Sequence, residues 1–115
     1  MNVRAAGEKD LESVLALYAH LFPEESYDDA RAYRQEWLRM MELAGFHTVL
    51  IAEEEGAAVS SCCLTVVPNL TRRCRPYAII ENMITRTDCR RKGYGSAVMR
   101  RAIELARERN CYKIM

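Results

Sequence analysis

The stretch of this chain with the residue types and spacing to do chemistry is Ile80–Ala97, IENMITRTDCRRKGYGSA. Its centre is Arg90-Arg91-Lys92-Gly93-Tyr94-Gly95-Ser96, set between a β-branched apolar run and a segment of helical period. A helix N-terminus leaves about four N–H groups without intrahelical partners and carries roughly half a positive charge. Glycine lets backbone approach a ligand closely. Strand, glycine turn and helix start, in that order, form a cradle for phosphate. The cations sharpen the reading, because each one at the positive end of a helix dipole is unfavourable by about 0.3 kcal/mol or more. Selection for stability alone would place Asp or Glu there, so the cluster points to a polyanion. The bland alternative is a tight turn with solvated charges.

Competing phosphate motifs are excluded. No Gly-Lys-Ser/Thr occurs, so the segment is not a P-loop. Gly93-x-Gly95 lacks the third glycine of a dinucleotide fingerprint, with Val98 in its place, and it does not follow the first strand. Nucleic acid is the weaker polyanion, because the cations are not interleaved with stacking aromatics and the pI is about 7.6.

The elements that must position this segment read as one mixed α/β domain over residues 1–115. Val3–Ala6 is a short strand. Asp10 is placed to cap a helix running to Leu21, with Leu11, Val14, Leu15, Tyr18 and Leu21 on its apolar face, and Pro23 stops it. A second helix spans about Asp28–Ala44, with Gly45 at its C-cap. Thr48–Glu53 and Ala57–Val67 read as strands around the hairpin signal Glu54-Glu55-Gly56. Pro68–Pro76 is an arginine-rich loop and Tyr77–Thr85 a further strand. The helix after the glycine turn runs to about Arg109, with Val98, Met99, Ala102, Ile103, Leu105 and Ala106 as its apolar stripe. Asn110 suits a left-handed stop, and Cys111–Met115 begins as another strand.

Composition bounds the rest. The longest unbroken apolar run, Val14–Ala19, has six residues. That is too short for a membrane span or a signal peptide, so the expected address is the cytoplasm and no membrane partner is expected. The five cysteines are Cys62, Cys63, Cys74, Cys89 and Cys111; the odd count without a C-x-x-C pair predicts free thiols. His20 and His47 have no partner at metal-ligand spacing, so no metal is expected. Charge is uneven: residues 1–71 carry 5 basic and 12 acidic side chains, residues 72–115 carry 12 basic and 4 acidic. The second part attracts anions and the first cations.

Arg90-x-x-Gly93-x-Gly95, with the strand carrying Glu81 before it and the helix after it, resembles the signature of the GCN5-related N-acetyltransferases (GNAT). The element order extends the resemblance over nearly all of the chain. It implies a GNAT-like acyltransferase fold and acetyl-coenzyme A as cosubstrate. The backbone N–H groups of Arg91, Lys92, Gly93, Tyr94, Gly95 and Ser96 would hold the diphosphate, with Arg90 opening the motif. The strand backbone at Met83, Ile84 and Thr85 would meet the pantetheine arm. Thr85 stands where Val is more usual, a change that leaves a backbone contact intact. An amine must lose its proton before it attacks a thioester, so a base is required. Glu81 resembles the family position that often serves; the alternative is a structural carboxylate. A strand N–H near Met83 or Ile84 would then face the developing oxyanion.

Set beside the family pattern, the chain is C-terminally incomplete: the usual tyrosine acid and the last strands would lie beyond Met115. Tyr112 reads as core. The resemblance leaves two alternatives for the uncovered sheet edge, a fragment or a homodimer that completes the sheet. The expected activity is acetyl transfer to a primary amine of a small molecule or peptide; the alternative is a non-catalytic coenzyme A-binding module. Glu24, Glu25, Asp28 and Asp29, with Glu36 beyond, would favour a cationic acceptor. Arg72, Arg73 and Arg75 either reach a nucleotide phosphate or are solvated, and solvation is the simpler reading. Trp37, Met40 and Met41 read as core.

Overall fold

Glu55 and Gly56, both left-handed at φ 52° and 80°, join the two central strands in a two-residue turn, so the central hairpin of the sheet is set locally. In the computed structural model, which describes residues 1–115, these strands are β2 (His47–Glu54) and β3 (Ala57–Val67). β1 (Asn2–Ala5) pairs with β2, and β4 (Tyr77–Thr85) pairs with β3, every pairing antiparallel and the order β1-β2-β3-β4.

Alternation along these strands loads both faces. One face buries Val49, Ile51 and Cys63 against Val14 and Leu17 of α1 (Leu11–Leu21) and Trp37 of α2 (Ala30–Glu42). The other buries Leu50, Ala52 and Cys62 against Val98 and Ala102 of α4 (Tyr94–Glu108). Cys62 and Cys63 thus enter opposite cores, as their adjacency requires, and all five cysteines are unpaired. Trp37 is core, 2% exposed, and its indole N–H donates to the Gly7 carbonyl at 3.2 Å. No helix is long and apolar enough to cross a membrane.

Several local expectations shift. Asp10 stands at the N-cap position of α1 as expected, but its side chain makes no cap bond: the carboxylate takes a bidentate bond from Arg4 (2.8 and 2.9 Å) and one from the Gly7 N–H (2.7 Å). An ion pair from a neighbouring element outcompetes the local cap. α2 starts at Ala30, where the Asp29 side chain accepts from the Ala32 N–H at 3.1 Å. It ends at Glu42 with Leu43 as its cap, and Gly45 takes up a left-handed φ of 92° beyond it.

The Pro68–Pro76 loop contains one short turn, α3 (Thr71–Cys74), with left-handed backbone at Arg72, Arg73 and Cys74. Asn110, at φ 61°, ends α4 as expected. Cys111–Met115 makes a single parallel bridge, Ala78↔Ile114, in place of a strand. Arg75 holds that segment by donating to the carbonyls of Asn110 and Cys111, each at 3.2 Å. Tyr112 is half-buried, edge-on to Tyr77 at 6.4 Å with the Arg72 guanidinium 5.4 Å over its ring, so it belongs to a surface aromatic cluster and not to the core.

Candidate active site

The glycine turn forms where β4 hands the chain to α4. A short 3-10 turn, Thr87–Cys89, buries Cys89; Arg90 is extended, Arg91 is left-handed at φ 65°, and Gly93 is left-handed at φ 86° immediately before α4. The two glycines do different work. A Cβ on Gly93 would meet nothing within 4 Å, so that side of the turn is open space and the constraint is conformational. A Cβ on Gly95 would lie 3.1 Å from Thr85 Oγ1 and 3.4 Å from Met83 Cε, so here the constraint is the close approach of β4 to α4.

A cavity of about 200 Å³ lies at this helix start, lined by Thr85, Arg90, Arg91, Gly93, Tyr94 and Ser96 among others. Thr85, Gly95 and Ser96 also line a groove of about 610 Å³ that continues along Met83, Met99, Arg100 and Ile103. A small cationic cavity at a helix N-terminus, leading into a longer, largely apolar groove, fits a diphosphate with an extended arm. Arg90, Arg91, Gly93, Tyr94, Gly95, Ser96, Met83 and Thr85 are brought together here; Lys92 is exposed and lines neither space.

Ile84 behaves differently from its neighbours because β4 carries an extra residue. Ser61 faces Ile84 while Cys63 faces Glu81, so Asn82 and Met83 together oppose Cys62. Asn82 absorbs the bulge at φ 54°, a left-handed value Asn tolerates. Before the bulge, Ala78 and Ile80 turn their N–H groups away from β3, to the carbonyls of Lys113 (3.0 Å) and Met115 (2.9 Å). After it, the Arg86 N–H turns toward β3 and donates to Val59 at 2.8 Å. Inside and outside have therefore exchanged: Met83 and Thr85 present outward beside the groove, and Ile84 is buried in the core beneath α1. Of the three strand residues, Ile84 is the one whose side chain is removed from the groove.

Further partners support the turn. The Tyr94 hydroxyl donates to Glu54 Oε2 at 3.0 Å, tying the first residue of α4 to the end of β2, and this bond raises the phenol above its ordinary range. Ser60, fully buried on β3, donates from Oγ to the Ile84 carbonyl at 3.0 Å and lies 2.9 Å from Thr85 Oγ1. Neither Ser60 nor Glu54 stands out in the sequence, because both act through cross-strand neighbours. Met99 and Ile103 read as stripe residues, yet only Val98, Ala102 and Ala106 of that stripe are buried; its breadth was the signal that one flank faces a groove.

Glu81 lies on the other face of β4, opposite Cys63, and is exposed and outside every ion pair. Beside it Cys63 Sγ receives contacts from the Tyr18 hydroxyl (3.5 Å) and Asn82 Nδ2 (3.7 Å). Burial, with the neighbouring Cys63 thiol, pushes the Tyr18 phenol far up, so it stays a neutral hydroxyl. Tyr27 of the acidic loop donates to the Tyr18 carbonyl at 3.3 Å, which seats that loop on α1. His20, at the end of α1, bonds Thr87 at 3.0 Å and so joins this side to the glycine turn. Arg72 and Arg75 are engaged with Tyr112 and the C-terminal carbonyls, which fits neither a free solvated loop nor a hold on the cavity.

Known proteins share this arrangement. The Acetyltransferase (GNAT) family model matches residues 11–115. Glucosamine 6-phosphate N-acetyltransferase 1 of Oryza sativa subsp. japonica is 31% identical over 86 residues, 73% of this chain and 52% of the relative. The chain therefore spans about half the length of that relative. Glucosamine 6-phosphate N-acetyltransferase of Trypanosoma brucei brucei is 29% identical across 100% of this chain and 78% of its own. Among solved structures, an Agrobacterium tumefaciens str. C58 protein described as an acetyltransferase superposes with a TM-score of 0.92 at 42% identity, covering 100% of this chain and 79% of that one.

Proposed function

The chain belongs to the Acetyltransferase (GNAT) family, whose members use acetyl-coenzyme A, and from that premise we propose that it transfers an acetyl group from acetyl-coenzyme A to a primary amine. The observation that carries the reading is the continuity of the Gly93 cavity with the groove between Met83, Thr85 and α4. Arg90 and Arg91 supply charge and the first N–H groups of α4 supply donors for the diphosphate. Met83 and Thr85 lie along the arm.

In the proposed reaction the amine nitrogen forms a bond to the thioester carbonyl carbon, the carbon–sulfur bond breaks, and coenzyme A leaves as the thiolate. The proton lost from nitrogen goes to a base. Glu81 is the proposed base: it is an unpaired carboxylate on the strand that borders the donor groove, on the face turned toward α1. The acceptor is an amine of a small molecule or peptide. Glucosamine 6-phosphate, which names the rice and trypanosome relatives, is the first acceptor to test, and cationic amines are the second, on the strength of Glu24, Glu25 and Asp28.

The test is thiol release from acetyl-coenzyme A with a panel of such amines. Release that depends on the acceptor supports the reading. Tight binding of acetyl-coenzyme A without release under any acceptor selects a non-catalytic binding module, and no binding at all removes both. Glu81→Gln is expected to lower kcat by about 100-fold, the lower bound of general-base catalysis, with the Kd for acetyl-coenzyme A unchanged. An unchanged kcat makes Glu81 a structural residue.

A further inference from the structure

Ser60 is buried completely in the middle of β3, where a polar side chain must be satisfied by protein. A serine hydroxyl has a single proton. Ser60 spends it on the Ile84 carbonyl, which can only accept, at 3.0 Å. In the 2.9 Å contact between Ser60 Oγ and Thr85 Oγ1 the donor must therefore be Thr85. With its own proton committed inward, the Thr85 hydroxyl has only lone pairs left to offer. Thr85 lines both the small cavity and the groove, and its Oγ1 is the atom that a side chain on Gly95 would strike. It thus sits at the junction of the two spaces.

From this proton count we propose that Thr85 Oγ1 is a hydrogen-bond acceptor for the donor arm, taking the first hydroxyl or amide proton beyond the diphosphate, with Ser60 as the positioning residue that fixes its polarity. The inference rests on the proposed binding of acetyl-coenzyme A and deepens it. A backbone contact would be indifferent to the side chain at this position. An acceptor hydroxyl held by Ser60 instead distinguishes an arm carrying a donor here from one that lacks it.

The experiment compares coenzyme A with adenosine 3′,5′-bisphosphate, which lacks the arm, by calorimetric titration of the parent chain and of Thr85→Val, Thr85→Ser and Ser60→Ala. Losing one neutral hydrogen bond is expected to weaken coenzyme A by about three- to tenfold in Thr85→Val. Thr85→Ser keeps the hydroxyl and is expected to bind coenzyme A within about twofold of the parent. Ser60→Ala releases the Thr85 proton and is expected to weaken coenzyme A while leaving adenosine 3′,5′-bisphosphate unchanged, which simple loosening of the sheet would not do. Binding of the bisphosphate also reports that each variant is folded. The proposal is overturned if Thr85→Val binds coenzyme A like the parent, if Thr85→Ser loses as much as Thr85→Val, or if both ligands weaken together. A parent chain that binds neither ligand overturns the donor-site reading itself, and this inference with it.

Discussion

At the scale of single residues, Gly93 and Gly95 carry separate constraints that separate measurements expose. Gly93→Ala adds a methyl group to open space but forces it into the left-handed region, a cost of about 1 kcal/mol. For a domain of this size that is a fall in Tm of about 4 °C in a melting curve. Gly95→Ala has no unfavourable φ to adopt; its methyl group meets Thr85 Oγ1 at 3.1 Å. The expected result is weaker coenzyme A binding with a smaller fall in Tm, because the atom displaced belongs to the groove. The reverse ranking of the two variants in binding and melting would contradict this division. Both glycines were legible as a close-approach turn because a helix start and its glycines lie within a few residues. The Thr85–Ser60 contact was not, since it joins positions 25 apart through strand register.

Elements are joined here by a small number of polar ties. Arg4 on β1 holds both Asp10, ahead of α1, and Glu53 on β2, the latter through Nε at 3.0 Å. The hydrogen bonds from Arg4 keep the Asp10 carboxyl below its usual range. A depressed carboxylate binds fewer protons folded than unfolded, so its stabilisation is complete above about pH 4 and is lost as pH falls through its lowered folded value. Asp10→Asn is therefore expected to reduce stability at neutral pH and to flatten the acid limb of a Tm-against-pH curve. An acid limb identical to the parent's would exclude Asp10 as its source. Helix α1 begins after Asp10 as the sequence indicates, but the same tie takes away the cap bond: a cap is a local preference of about 1 kcal/mol, and a bidentate guanidinium from another element overrides it. Helix α4 was read to within a residue of its observed end because its period and its left-handed stop at Asn110 are both local.

Across the whole molecule, the uneven charge of the sequence becomes two sides of the sheet. Residues 1–71 supply α1, α2 and the acidic loop; residues 72–115 supply β4, the glycine turn and α4. A polyanion thus enters on the basic side, and screening should weaken it. Raising salt from about 0.05 to about 0.5 M is expected to lower coenzyme A affinity severalfold, because the Debye length falls from roughly 14 to 4 Å. Arg90→Gln with Arg91→Gln is expected to make that dependence shallower. Equal slopes for parent and double variant would mean these two arginines do not face the phosphates. The order of layers was legible from the alternation of periods along the chain. The bulge in β4 was not, because Glu81–Thr85 reads as a uniform strand and Asn82 is the only residue in it suited to a left-handed backbone.

That bulge works as a half-period phase slip. Upstream of Asn82 the even-numbered Ala78 and Ile80 face α4; downstream the odd-numbered Met83 and Thr85 do, and the donor groove lies only along that second segment. Run straight through without the slip, the strand would set Asn82 against Cys62, Met83 against Ser61 and Ile84 against Ser60, so Met83 would leave the groove and Ile84 would stand where Thr85 now meets Gly95. One extra residue, absorbed at Asn82, thereby decides that a hydroxyl and not a sec-butyl group stands at the mouth of the helix.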